Sequence, residues 1–146
     1  MTTTRPSWDR TFLDLATVIA RRSKDPSSQV GAVIVDAHRR VVSLGYNGYP
    51  RGIEDTADTD PREIKLWKTI HAEENALLFA GRSLEFCTLY VTHHPCPTCA
   101  AKIVQVGIRR VVYLRQLEFE KRWAEQLDIA RQIFVQAGVL VEGVLP

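Results

Sequence analysis

The chain has 146 residues, 45% apolar and 25% charged, and 19 Lys and Arg against 17 Asp and Glu leave a net charge of +2. A chain of this size is expected to fold as one domain over residues 1–146 and to bury roughly 68–70% of its unfolded surface; the composition excludes a disordered tail, a collagen-like repeat and a coiled coil as its main character. No apolar run approaches the ~20 residues that cross a bilayer, residues 1–9 lack the apolar stretch of a signal peptide, and the charge is too small for a long phosphate backbone, so the expectation is a cytoplasmic domain with neither membrane nor nucleic-acid partner.

Ser7 is placed to cap a helix over about 8–22, in which Phe12, Leu15, Ala16, Ile19 and Ala20 recur at helical spacing. The β-branched runs 30–35 and 41–44, split by the polar turn 36–40, predict a hairpin. A loop over 45–60 follows. Asp60, Pro61 and Glu63 have the spacing of a capping box and predict a short helix that stops before His71. Residues 71–80 form a second helical stretch with Gly81 as its stop. Strands are predicted over 87–92, 109–114 and 139–144, and helices over 97–106 and 119–137, closed by Gly107 and Gly138. A helix between each of the last three strands implies right-handed parallel crossovers. The expected fold is therefore α/β, a three-layer α/β/α arrangement around a five-stranded mixed sheet that starts with an N-terminal hairpin and continues in parallel strands.

Three cysteines, Cys87, Cys96 and Cys99, are too few and too odd in number for a disulfide framework. His71-Ala72-Glu73 and Pro95-Cys96-Pro97-Thr98-Cys99 are each weak signals alone. Together they form the H-x-E…P-C-x-x-C pattern of zinc deaminases. One histidine and two cysteines are the three protein ligands of a catalytic zinc that keeps its fourth tetrahedral position for water. Cys96 and Cys99 stand i, i+3 at a helix start, on one side of its first turn and at its positive end. Glu73 lies roughly 200° around the helix from His71, which suits a neighbour of the attacking water better than a ligand. Zinc lowers the pKa of such a water toward about 7. Glu73 would take its proton, pass it to the ring nitrogen beside the attacked carbon and later protonate the leaving amine. A redox Cys-x-x-Cys leaves His71 and Glu73 unexplained. A structural zinc would need a fourth ligand from His93, His94 or Cys87. Cys87 reads as a buried core thiol, and His93 and His94 as solvated residues or neighbours of the metal loop.

With these motifs the chain resembles the deoxycytidylate (dCMP) deaminase family of the zinc-dependent cytidine deaminase superfamily. The likeness runs through Arg22–Ala32, Gly45-Tyr46-Asn47-Gly48-Tyr49-Pro50-Arg51-Gly52 and His71-Ala72-Glu73-Glu74-Asn75-Ala76. It implies a cytidine deaminase-like fold, zinc on His71, Cys96 and Cys99, Glu73 as proton shuttle, and conversion of dCMP to dUMP and ammonia, supplying dUMP for dTMP synthesis. It also implies a substrate role for Asn47, whose amide both donates and accepts; the residue-level alternative is a turn Asn beside Gly48. Lys24 is a candidate for the 5′-phosphate, as are Arg51 and Lys68, with a solvated lysine or arginine as the alternative. Family members form hexamers regulated by dCTP and dTTP, which points to a homo-oligomer and to Tyr46, Gly48, Phe79 and Arg82 as effector-binding residues; Phe79 also fits a helix-face core position. Residues 115–123 lack the Tyr-containing, Asp-rich loop of the family. The other readings are a tRNA adenosine or other nucleobase deaminase, which shares the zinc motifs, and a non-catalytic nucleotide-sensing zinc module, which would have no use for Glu73.

Overall fold

The computed structural model describes residues 4–146; residues 1–3, part of the opening stretch read above, lie outside it. In chain order the elements are α1 (Trp8–Ala20), β1 (Gly31–Val35), β2 (Val41–Tyr46), α2 (Arg62–Lys68), α3 (Ala72–Leu78), β3 (Thr88–Val91), α4 (Pro97–Gln105), β4 (Arg110–Leu114), α5 (Leu117–Arg122), α6 (Ala124–Gln136) and β5 (Leu140–Val144). The strands form one five-stranded sheet in the order β2-β1-β3-β4-β5. β1 pairs antiparallel with β2 and β3, while β3, β4 and β5 run parallel. This is the mixed sheet expected from the hairpin and the two helical crossovers.

Side chains of a strand alternate between faces, and here both faces are covered. Ala32, Ile34, Leu89, Val91, Val111 and Tyr113 pack with Ala72, Ala76, Cys99, Ala100, Ile103, Ala130 and Phe134 of α3, α4 and α6. Their neighbours in sequence, Val33, Val35, Tyr90, Val112 and Leu114, pack on Phe12, Leu13 and Ala16 of α1. Gly31 allows α1 to sit this close, since a Cβ there would lie 1.9 Å from the Ala16 carbonyl oxygen. Cys87 is buried in the larger cluster, the core thiol it was read to be. No helix among the described residues is long and apolar enough to cross a membrane.

Three local expectations are corrected. The first helix ends at Ala20 because the amides of Arg21, Arg22 and Ser23 turn to the carbonyls three residues back, tightening the chain out of the helix. Asp60 does not cap α2: its carboxylate accepts from Tyr49 Oη and Thr56 Oγ1 at 2.7 Å and from Lys68 Nζ at 3.2 Å, and Pro61 takes the cap position. The helix predicted over 119–137 is two helices, α5 and α6, broken at Trp123 (φ −109°, ψ 24°). The Arg62 guanidinium, at the start of α2, lies 5.8 Å from the Trp123 ring at this break.

Candidate metal centre and its surroundings

The parallel strands deliver their C-terminal ends to one edge of the sheet, where ligand sites of open α/β sheets form. The chain leaving β3 runs through His93, His94 and Pro95 into Cys96, which caps α4, with Pro97 at the first helical position. His71 caps α3 rather than opening it, with an extended backbone (φ −73°, ψ 156°). Its amide donates to Glu74 Oε1 at 3.0 Å, and Glu74 also pairs with Lys102 of α4. The start of α3 is thereby tied to the last turn of α4, and the imidazole meets the thiols.

His71 Nδ1 lies 3.5 Å from Cys96 Sγ and 3.3 Å from Cys99 Sγ, and the three ligand atoms lie within 4.8 Å of one another. A tetrahedral zinc with N at about 2.0–2.1 Å and S at about 2.3 Å sets such N and S atoms about 3.6 Å apart. The residues therefore fit the ion in both kind and spacing. Their electrostatics fit as well. The Cys99 thiol hydrogen-bonded to Cys96, with help from His71, holds the Cys96 thiol down to about 4 despite burial. That bond and burial push the Cys99 thiol up. The Cys96 thiolate draws the His71 imidazole up to about 9, against burial. A divalent cation held by these residues would take the place of the protons on Cys99 and His71, so loading would release them.

Glu73 follows on the first turn of α3 with only 5% of its surface exposed. Burial, and next the Cys96 charge, push its carboxyl up to about 7. A carboxyl poised there exchanges protons near neutral pH in either direction.

The Gly45–Gly48 segment is fastened over this centre. Gly48 and Ile70 exchange backbone hydrogen bonds of 3.0 and 2.8 Å, directly before His71. Asn75 Nδ2 donates to the Tyr46 carbonyl at 2.8 Å. Asn47 is buried, its Oδ1 accepting from Val30 N at 2.9 Å and its Nδ2 donating to Ser28 O at 2.8 Å. One amide hydrogen and one lone pair of Asn47 are left for another partner. Lys24 is exposed on the loop that Ser23 anchors to the Asn47 carbonyl, so the structure brings these two candidates onto one edge. Lys68 is paired with Asp60, and Arg51 lies 5.1 Å from the exposed Phe79 ring. Arg82 turns elsewhere, to Asp36 at 3.4 Å in the hairpin turn.

Gly45 also sets how closely α3 approaches the sheet, because a Cβ there would lie 2.2 Å from the Ala72 carbonyl oxygen and 2.6 Å from Ala76 N. Both neighbours are backbone, so the whole helix must move. Gly45→Ala is expected to cost about 1–3 kcal/mol or more and to lower the thermal unfolding midpoint by about 5 °C or more, with weaker metal retention because α3 positions His71. Calorimetric scans and metal content check this; an unchanged midpoint contradicts the packing described.

Several residues at this edge carry no sequence motif. His94 is 2% exposed, with ring centroids 4.7 Å from Tyr113 and 6.2 Å from Phe134. Its Nδ1 hydrogen-bonds the Pro95 carbonyl at 2.8 Å, stiffening the metal loop, so it is not solvated. His93 packs edge-on against Phe119 and faces a cavity of about 570 Å³. Arg115 and Gln116 line that cavity, and Glu120, outside the lining, holds both of them. Only the i, i+3 spacing of Glu74 from His71 was a readable signal, as a capping pair.

Residues 6–115 match the family described as the cytidine and deoxycytidylate deaminase zinc-binding region. The chain is 56% identical over 135 residues to a deaminase of the luxG 3′ region of Aliivibrio fischeri, covering 92% of this chain and 91% of that one. It is 35% identical over 147 residues to the human deoxycytidylate deaminase, covering 95% and 80%. Crystal structures of dCMP deaminase from the cyanophage S-TIM5, in apo form and with dCMP and dUMP, superpose with TM-scores of 0.77 and 0.75 at 26% identity, covering 97% of this chain and all of that one.

Proposed function

The chain belongs to the cytidine and deoxycytidylate deaminase zinc-binding family, and on that premise we propose that it hydrolyses dCMP to dUMP and ammonia. The observation that carries the reading is the His71–Cys96–Cys99 cluster with the buried Glu73 carboxyl beside it. The similarity to deoxycytidylate deaminases, one of them crystallised with both dCMP and dUMP, supports the choice of substrate.

In this reading His71, Cys96 and Cys99 hold zinc. The ion supplies Lewis-acid activation of water near neutrality. Glu73 would accept one proton of the attacking water and deliver it to the ring nitrogen next to the attacked carbon, then take the second from the hydroxyl now on that carbon and pass it to the amine as the C–N bond breaks and the carbonyl forms. One buried carboxyl serves both steps because it passes on each proton it takes and so returns to the carboxylate. Asn47 offers its remaining amide hydrogen to the base or sugar, and Lys24 stands at the same edge as a cation for the 5′ end. The dUMP formed suits supply for dTMP synthesis. A homo-oligomer, a cytoplasmic location and regulation by dCTP or dTTP through Tyr46, Gly48 and Phe79 complete the proposal, without Arg82, which pairs with Asp36.

The test is a substrate panel of dCMP, CMP, deoxycytidine and 5-substituted dCMP, each with and without dCTP or dTTP, together with a tRNA carrying a deaminable adenosine. We expect kcat/KM for dCMP to exceed that for deoxycytidine by about 10²-fold or more, the scale of discrimination seen when a site built for a polar group meets an analogue that lacks it. Turnover of the tRNA in preference to dCMP, or of none of these by zinc-loaded protein, contradicts the reading.

A further inference from the structure

The 570 Å³ cavity is walled by Ser27, Ser28, His93, Arg115, Glu118 and Arg122, among others. It adjoins the metal loop along the chain, since His93 is three residues before Cys96. Burial holds His93 down to about 4, hence neutral, so Arg115 and Arg122 are the cations of this wall. Glu118 is 89% exposed beside Lys121 at 3.9 Å, where solvent screens it.

Glu120 is placed differently. Its side chain is 10% exposed, and both oxygens accept from Arg115 Nε, at 2.9 and 3.2 Å. Oε2 also accepts from the Gln116 amide at 2.7 Å, and Gln116 Nε2 donates to the Thr92 carbonyl at 3.0 Å. The carboxylate thus clamps the guanidinium by its Nε edge and anchors that clamp to the end of β3. The Nη hydrogens are left as donors for another oxyanion, in the fixed fork that matches phosphate. A buried carboxylate that held both edges would neutralise the arginine for this use; holding one edge orients it.

Resting on the nucleotide reading given above, we propose that Glu120 is a positioning residue, fixing Arg115 on this wall so that its Nη groups bind the phosphate of the nucleotide. The assignment concerns binding, and the product serves as the probe.

Calorimetric titration of the zinc-loaded chain with dUMP and with deoxyuridine tests it. Arg115→Ala is expected to weaken dUMP about 30-fold or more and to leave deoxyuridine within about twofold, because the charge-assisted bonds lost go to phosphate alone. Arg115→Lys keeps the charge without the fork and should lose about tenfold for dUMP. Glu120→Ala should weaken dUMP about tenfold, and the double variant should bind no more weakly than Arg115→Ala, as expected of coupled groups. Glu120→Gln, which still accepts a hydrogen bond, should stay within about threefold of wild type. Arg115→Lys and Glu120→Gln carry the comparison where an alanine variant does not fold. An unchanged dUMP-to-deoxyuridine ratio overturns the proposal, as does Glu120→Ala weakening both ligands alike, the mark of a helix cap and nothing more. Absence of dCMP turnover with this ratio pattern intact sinks the deamination reading and leaves the Arg115 assignment standing.

Discussion

Glu73→Gln is expected to keep its metal and to lose about 10²–10⁴-fold in dCMP turnover, the range that a positioned proton-transfer group contributes. The substitution is nearly isosteric, and the residue sits on the first turn of α3 without serving as one of the three clustered donors. The cluster should therefore fill as in wild type. What is lost is the ability to accept a proton. Glu73 is buried, and its carboxyl is pushed up to about 7 by that burial and by the Cys96 charge, which suits it to act as base and then as acid at one pH. Metal analysis together with ammonia release checks the expectation; release at near wild-type rate from a metal-loaded variant contradicts the role.

Cys99→Ser removes one of only three protein donors, and its effect on the metal should be larger still. Losing a group that merely orients a ligand already costs about 10–100-fold in metal affinity. Cys99 is fully buried among α3, α4 and the sheet, so no side chain rotates in to replace it. The variant should emerge from purification nearly free of zinc, with turnover falling in proportion. It should also melt lower, because metal bound only by the folded state stabilises it by mass action. Zinc measured by atomic absorption at wild-type stoichiometry would show that Cys99 is not a ligand.

The His71–Cys96–Cys99 cluster was legible in the sequence because metal-ligating residue types stand there at short spacings. His71-Ala72-Glu73 and Cys96-Pro97-Thr98-Cys99 each occupy one helix start, and local geometry alone puts their donors on one side. The sheet was legible for a similar reason: β-branched runs separated by glycine-stopped helices leave little freedom in how the last three strands connect. What escaped was decided by contacts between distant segments. Asp60 has the spacing of a cap, yet Tyr49, Thr56 and Lys68 claim its carboxylate. Nothing around Trp123 announces a break, and the Arg62 guanidinium that lies over its ring comes from a distant segment. Asn47 was read from its neighbours as a substrate or turn residue, and the fold uses most of its amide to hold residues 28–30. The pinning of Arg115 by Glu120 joins residues five apart across a helix start, a spacing with no motif value.

The proposed chemistry depends above all on zinc being held by one nitrogen and two sulfurs with a corner open to water. X-ray absorption at the zinc edge of the loaded protein measures this directly. Two sulfurs at about 2.3 Å, one nitrogen at about 2.0–2.1 Å and one light-atom ligand that exchanges when a substrate analogue is added are expected. A first shell of four protein donors, unchanged by the analogue, would contradict it.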